Sequence, residues 1–69
     1  MVEVFKTNIR DYYQSQLLIK KLRKRFPGSN INFDLDDCDK VLRVEGNSIC
    51  PVKIVDLLIA NGYECVALI

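Results

Sequence analysis

Asn30-Ile31-Asn32-Phe33-Asp34-Leu35-Asp36 alternates without a break between polar and apolar residues. A period of two sends successive side chains to opposite faces, so this stretch predicts a strand with Ile31, Phe33 and Leu35 on a core and Asn32, Asp34 and Asp36 toward water. Asp36-Asp37-Cys38-Asp39 supplies turn residues. Lys40 to Glu45 then sets Leu42 and Val44 two apart, which predicts the second arm of a hairpin, ended by Gly46-Asn47-Ser48.

On the N-terminal side of the hairpin the period changes. Asp11, Ser15, Leu18, Ile19, Leu22 and Phe26 fall in one sector of a helical wheel, predicting an amphipathic helix from Asp11 that Asn8 or Asp11 caps and Pro27-Gly28 stops. Val2 to Thr7 is β-branched and aromatic enough for a first strand whose facing the pattern leaves open. On the C-terminal side, Pro51 suits a first helical position because it has no N–H to leave unpaired. Ile54, Val55, Leu57, Leu58 and Ile59 give an apolar sector opposite Lys53, Asp56 and Ala60. Asn61-Gly62 ends that helix, and Tyr63 to Ile69 predicts a last strand.

The predicted order is strand, helix, strand, strand, helix, strand. Two short helices and four strands satisfy one another when both helices cover one face of a four-stranded antiparallel sheet, the ferredoxin-like β-α-β-β-α-β sandwich of the α+β class. Sixty-nine residues, with no linker or low-complexity tract, make one domain over 1–69. With 49% hydrophobic and 28% charged residues the composition is that of a folded globule, and a net charge of +1 gives no global attraction to nucleic acid or anionic lipid. Three cysteines, at 38, 50 and 65, cannot all pair and predict free thiols in a reducing cytoplasm. Asp56, Asn61-Gly62 and Glu64 interrupt the apolar C-terminal stretch, so no membrane helix is expected.

The whole chain resembles the heavy-metal-associated domains of copper chaperones and metal-pumping ATPases. The resemblance is carried by the order of elements, the first helix closing at Phe26-Pro27-Gly28, the hairpin from Ile31 to Val44, and Asn61-Gly62-Tyr63 before the last strand. That family holds soft metal with M-x-C-x-x-C between the first strand and first helix. Here the motif falls on Ile9-Arg10-Asp11-Tyr12-Tyr13-Gln14, and a shift by one places Tyr12 and Ser15 at the cysteine positions. Neither alignment supplies a thiolate for copper. Ile9, Asp11 and Gln14 therefore mark a degenerate metal loop, and the family's metal activity is not carried over.

Cysteines twelve and fifteen residues apart, with no histidine, carry no zinc or redox signature. Cys50 alone precedes a helix, where a thiol pKa falls, and is the one metal candidate; Cys65 is expected in the core. The acidic run Asp34 to Asp39 lacks the glycine and distal glutamate of a calcium loop. Without histidine, phosphate loop or activated nucleophile, neither an enzyme nor a cofactor is expected.

The remaining feature is the outer side of the first helix, where Tyr13, Leu17, Lys20 and Lys24 line up with Lys21 and Arg23 on the flanks. An apolar anchor ringed by cations suits an acidic protein surface, whereas a lysine face with a stray leucine is also ordinary on a soluble helix. The resemblance places this stripe at the end where the family meets its partners, implying a protein-interaction or regulatory module. Copper or zinc binding through unusual ligands and nucleic-acid binding through Lys20-Lys21-Leu22-Arg23-Lys24-Arg25 are the alternatives, the latter opposed by Asp34 and Asp36 on the exposed strand face. Self-association, by the acidic hairpin meeting the basic helix of another copy or by sheet-edge pairing, is a further possibility.

Overall fold

The computed structural model describes residues 1–68; Ile69, included in the expected last strand, lies outside the described residues. The elements are β1 (Val2–Thr7), α1 (Tyr12–Arg25), β2 (Asn30–Asp34), β3 (Val41–Glu45), α2 (Pro51–Ala60) and β4 (Cys65–Ala67). The strands form one antiparallel sheet in the order β2-β3-β1-β4. No helix among the described residues is long and apolar enough to cross a membrane.

The register decides which face each strand residue joins. Ile31 pairs with Val44 and Phe33 with Leu42 across β2 and β3, and Leu42 in turn pairs with Phe5 of β1. Cross-strand partners share a face, so these residues point the same way, together with Thr7 and its partner Cys65 on β4. Onto that face α1 turns Ser15, Leu18 and Leu22, and α2 turns Ile54 and Leu58, so both helices enter a single core. The facing of β1, open in the sequence, is thereby settled: Phe5 and Thr7 are buried, while Val2, Val4 and Lys6 lie on the opposite face.

Several expected boundaries shift: β3 begins at Val41 rather than Lys40, β4 ends at Ala67 short of Leu68, and three further ends are set by hydrogen bonds. The strand predicted to Asp36 stops at Asp34, because the chain turns: the Asp36 N–H is taken by Asp34 Oδ1 at 3.2 Å and Lys40 Nζ reaches back to the Leu35 carbonyl at 2.8 Å. The first helix begins at Tyr12 rather than Asp11, which stays extended as the N-cap; Asn8 caps nothing and instead accepts the Glu64 N–H at 2.9 Å. The last strand starts at Cys65 rather than Tyr63, since the Tyr63 N–H is used to close α2 on the Leu58 carbonyl at 3.0 Å. Together with the Gly62 N–H on Ile59, and Gly62 at φ +90°, this is a Schellman ending.

Ile59 departs from its expected place. Its apolar character predicts a place in the buried sector of α2, yet it is 56% exposed, because it sits about 100° around the helix from Leu58 and farther still from Ile54. Val52 is exposed on the same flank.

Candidate functional site

The end of the molecule that carries the loop between β1 and α1 is closed by hydrogen bonds. The buried Thr7 hydroxyl donates to the Lys40 carbonyl at 2.5 Å and accepts the Ile9 N–H at 3.2 Å, and the Thr7 N–H donates to the Asp39 carbonyl at 3.0 Å. Ile9, at the first position of the aligned motif, has no exposed surface and belongs to the core. Asp11, at the first cysteine position, is occupied as a cap: its Oδ1 accepts the Tyr13 N–H at 2.8 Å and its carbonyl the Ser15 N–H at 3.1 Å. Gln14, at the second, is half-buried. With the alignment shifted by one, Ser15 is buried with its hydroxyl donating to the Tyr12 carbonyl at 2.6 Å, and Tyr12 is exposed. An isoleucine built into the core and an aspartate engaged by the helix make a structural join where the resembled family has a ligand loop.

The thiols lie far from that loop in the sequence; in the fold Cys65, paired with Thr7 across β4 and β1, comes beside it with its side chain in the core. Cys50 is the N-cap of α2, half-buried, and its side chain makes no cap hydrogen bond. Cys65 is buried in the core and desolvation pushes its thiol up to about 11, which keeps it protonated and unreactive at neutral pH. Cys38 is exposed in the β2–β3 turn, its Sγ within 4.8 Å of carboxylate oxygens of Asp37 and Asp39. Those carboxylates have structural roles: Asp37 Oδ1 accepts the Asp39 N–H at 2.8 Å, and Asp39 Oδ1 lies 3.7 Å from Lys6 Nζ. The turn geometry accounts for the cluster.

What remains open is the outer side of α1. Burying Ser15, Leu18 and Leu22 turns Tyr13, Leu17, Lys20 and Lys24 outward, since each is two positions from one of them, about 200° around the helix. Tyr13 is 69% and Leu17 42% exposed, and Leu17 with Lys20, Lys21, Arg23 and Lys24 lines a shallow surface groove. α1 contains no acidic residue. Among the described residues the only ion pair is Lys6 with Asp39, so the cations of α1 have no carboxylate partner among them.

Comparison with protein-family models, with curated proteins and with solved structures finds no match to this chain. The site therefore stands on its own geometry.

That geometry alters the expected set in two respects. Lys21 lines the groove but is also engaged elsewhere: its Nζ donates to Asn61 Oδ1 at the end of α2, tying the two helices. Arg23, expected only as a flank, lines the groove beside Leu17. Arg23, Lys24 and Arg25 also occupy the last turn of α1, where positive charge is stabilised by the carbonyl end of the helix dipole. That accounts for basic residues at the C-terminal end of α1; it does not account for an exposed Tyr13 and Leu17 further back. Sequence reasoning missed Thr7, whose buried hydroxyl organises the neighbouring loop, because a threonine within a strand carries no pattern that marks it.

Proposed function

We propose that this chain is a non-catalytic binding module of the heavy-metal-associated type, without the usual metal ligands, that docks an acidic protein surface through the outer side of α1. The single observation behind the reading is the combination on one helix face of exposed Tyr13 and Leu17 with the cations Lys20, Arg23 and Lys24, which have no carboxylate partner among the described residues. Large apolar side chains that give up their hydration on contact supply affinity, and a surrounding ring of unpaired cations selects a partner by charge. The strand order β2-β3-β1-β4, with both helices feeding one core, supports the ferredoxin-like reading, since it is what two right-handed split β-α-β units produce. Ile9 in the core and Asp11 as a cap support a role without metal. Three free thiols suit the reducing cytoplasm.

The test is affinity purification with the wild-type chain and with Tyr13→Ala plus Leu17→Ala, both side chains being exposed and outside the core. An acidic protein retained by the wild type, released by salt and absent with the double variant is the expected result. Unchanged retention by the double variant overturns the reading. Titration of the reduced chain with Cu(I) or Zn(II) against a chelator is expected to show no competitive binding; one tightly held ion per chain returns the protein to metal handling. Binding of nucleic acid that weakens steeply with salt assigns the cations to phosphate instead.

A further inference from the structure

The two edges of the sheet are unlike each other. β2, at one edge, carries Asn30, Asn32 and Asp34 on its solvent face and runs straight into Asp36 and Asp37, charges that discourage pairing with another strand. β4, at the other, carries no charge within it: Cys65 to Leu68 is uncharged, with the one flanking charge at Glu64, and Val66 is 61% exposed with Leu68 exposed beside it.

The bonding of β4 to β1 shows which of its backbone groups are free. The Leu68 N–H donates to the Val4 carbonyl at 2.9 Å, and Val66 pairs with Lys6. Residues bonded to one neighbour alternate along an antiparallel strand, so Leu68 and Val66 face β1 while Cys65 and Ala67 turn their N–H and C=O groups to the open edge.

The helix above that edge is apolar on the matching side. Leu57 and Asn61 lie four residues apart on one flank of α2, and Asn61 is the acceptor for Lys21 of α1, so this flank faces α1. Val52 and Ile59, two turns apart with Val55 between them, occupy the other flank, directed away from α1 and over the β4 side of the sheet, on which α2 packs.

We propose that this edge pairs with the same edge of a second copy, β4 against β4 in antiparallel register. The two sheets join into one of eight strands, with the Val52 to Ile59 flanks of the two α2 helices side by side. With Val66 facing Val66 across the two-fold axis, Cys65 of each copy exchanges backbone hydrogen bonds with Ala67 of the other. Glu64 then falls opposite Leu68 and not opposite another glutamate, so no like charges meet. A two-fold contact needs one patch complementary to itself, which an uncharged strand with free alternate backbone groups provides. The β2 edge, by contrast, carries its acidic turn into any such pairing. This contact is separate from the α1 face and leaves it free.

Sedimentation equilibrium from micromolar to millimolar chain concentration tests the proposal, alongside amide hydrogen exchange. The expected result is twice the chain mass, with Cys65 and Ala67 amides increasingly protected as concentration rises. Val66→Lys plus Ile59→Lys, both at exposed positions, is expected to return the mass to that of one chain and remove the added protection, with unfolding still cooperative. Tyr13→Ala plus Leu17→Ala is expected to leave the dimer intact, so failure of either interface is read separately. A wild-type chain that stays monomeric, with Cys65 and Ala67 amides indifferent to concentration, overturns the proposal and leaves the edge to a strand from a different protein. A dimer that survives the Val66 and Ile59 substitutions, or is lost with Tyr13 and Leu17, also overturns it.

Discussion

Single residues hold the joins of this small domain. Asp11 satisfies the Tyr13 N–H at the start of α1, and Asp11→Ala is expected to lower stability by about 0.5–2 kcal/mol in urea unfolding, the usual range for a lost side-chain cap. Thr7→Val keeps the shape of the side chain but strips the partner from the Ile9 N–H and the Lys40 carbonyl; the expected loss is about 1–3 kcal/mol by the same measurement. Cys65 adds a pH dependence. Its thiol is raised from 9.0 to about 11 in the folded chain, so between those values the unfolded state gives up a proton that the folded state keeps. Stability is therefore full below pH 9 and falls as pH rises toward 11, by an amount on the order of 2 kcal/mol. Cys65→Ala is expected to lack this part of the alkaline decline when unfolding midpoints are compared across that range. The cap was legible as one of two candidates because aspartate before a helical period is a helix-start signal, whereas the role of Thr7 depends on Asp39 and Lys40, more than thirty residues away in sequence.

At the scale of elements, the period of the sequence was informative and the ends were not. The alternation from Asn30 and the wheel of α1 correspond to β2 and to the buried Ser15, Leu18 and Leu22, because burial on one side is what those periods encode. Turn hydrogen bonds trimmed β2 and β4, and a pattern of apolar residues does not record where a backbone N–H goes. The Schellman ending of α2 depends on Gly62 at φ +90°, where an added Cβ meets no atom within 4 Å. Gly62→Ala is thus free of clash yet places an L-residue in the left-handed region, with an expected cost of about 1–2 kcal/mol in thermal or urea unfolding. An effect near zero would mean that the ending relaxes to a different turn. Ile59 shows the limit of a wheel: the apolar sector of α2 is broad, and the core fully buries only its middle, Ile54 and Leu58, with Val55 and Leu57 half-buried on either side.

For the whole molecule, a domain of this size has a net stability of only several kcal/mol. Leu22 and Leu58 reach the common core from opposite helices and are fully buried, so Leu22→Ala or Leu58→Ala, at about 2–5 kcal/mol each, is expected to leave much of the chain unfolded at 37 °C by circular dichroism. The sequence by itself determined the order of strands and helices, the absence of the M-x-C-x-x-C thiols, and the basic character of α1, because periodicity, residue chemistry and formal charge are all local properties. Tertiary structure alone decided that Phe5 and Thr7 face inward, that Lys21 is spent on Asn61, and that Cys65 is desolvated. It also made β4 an uncharged edge beneath the Val52 and Ile59 flank of α2. Those outcomes depend on which segments lie side by side, and the free energy of a buried thiol or an unpaired strand edge is set by neighbours that are distant in the chain.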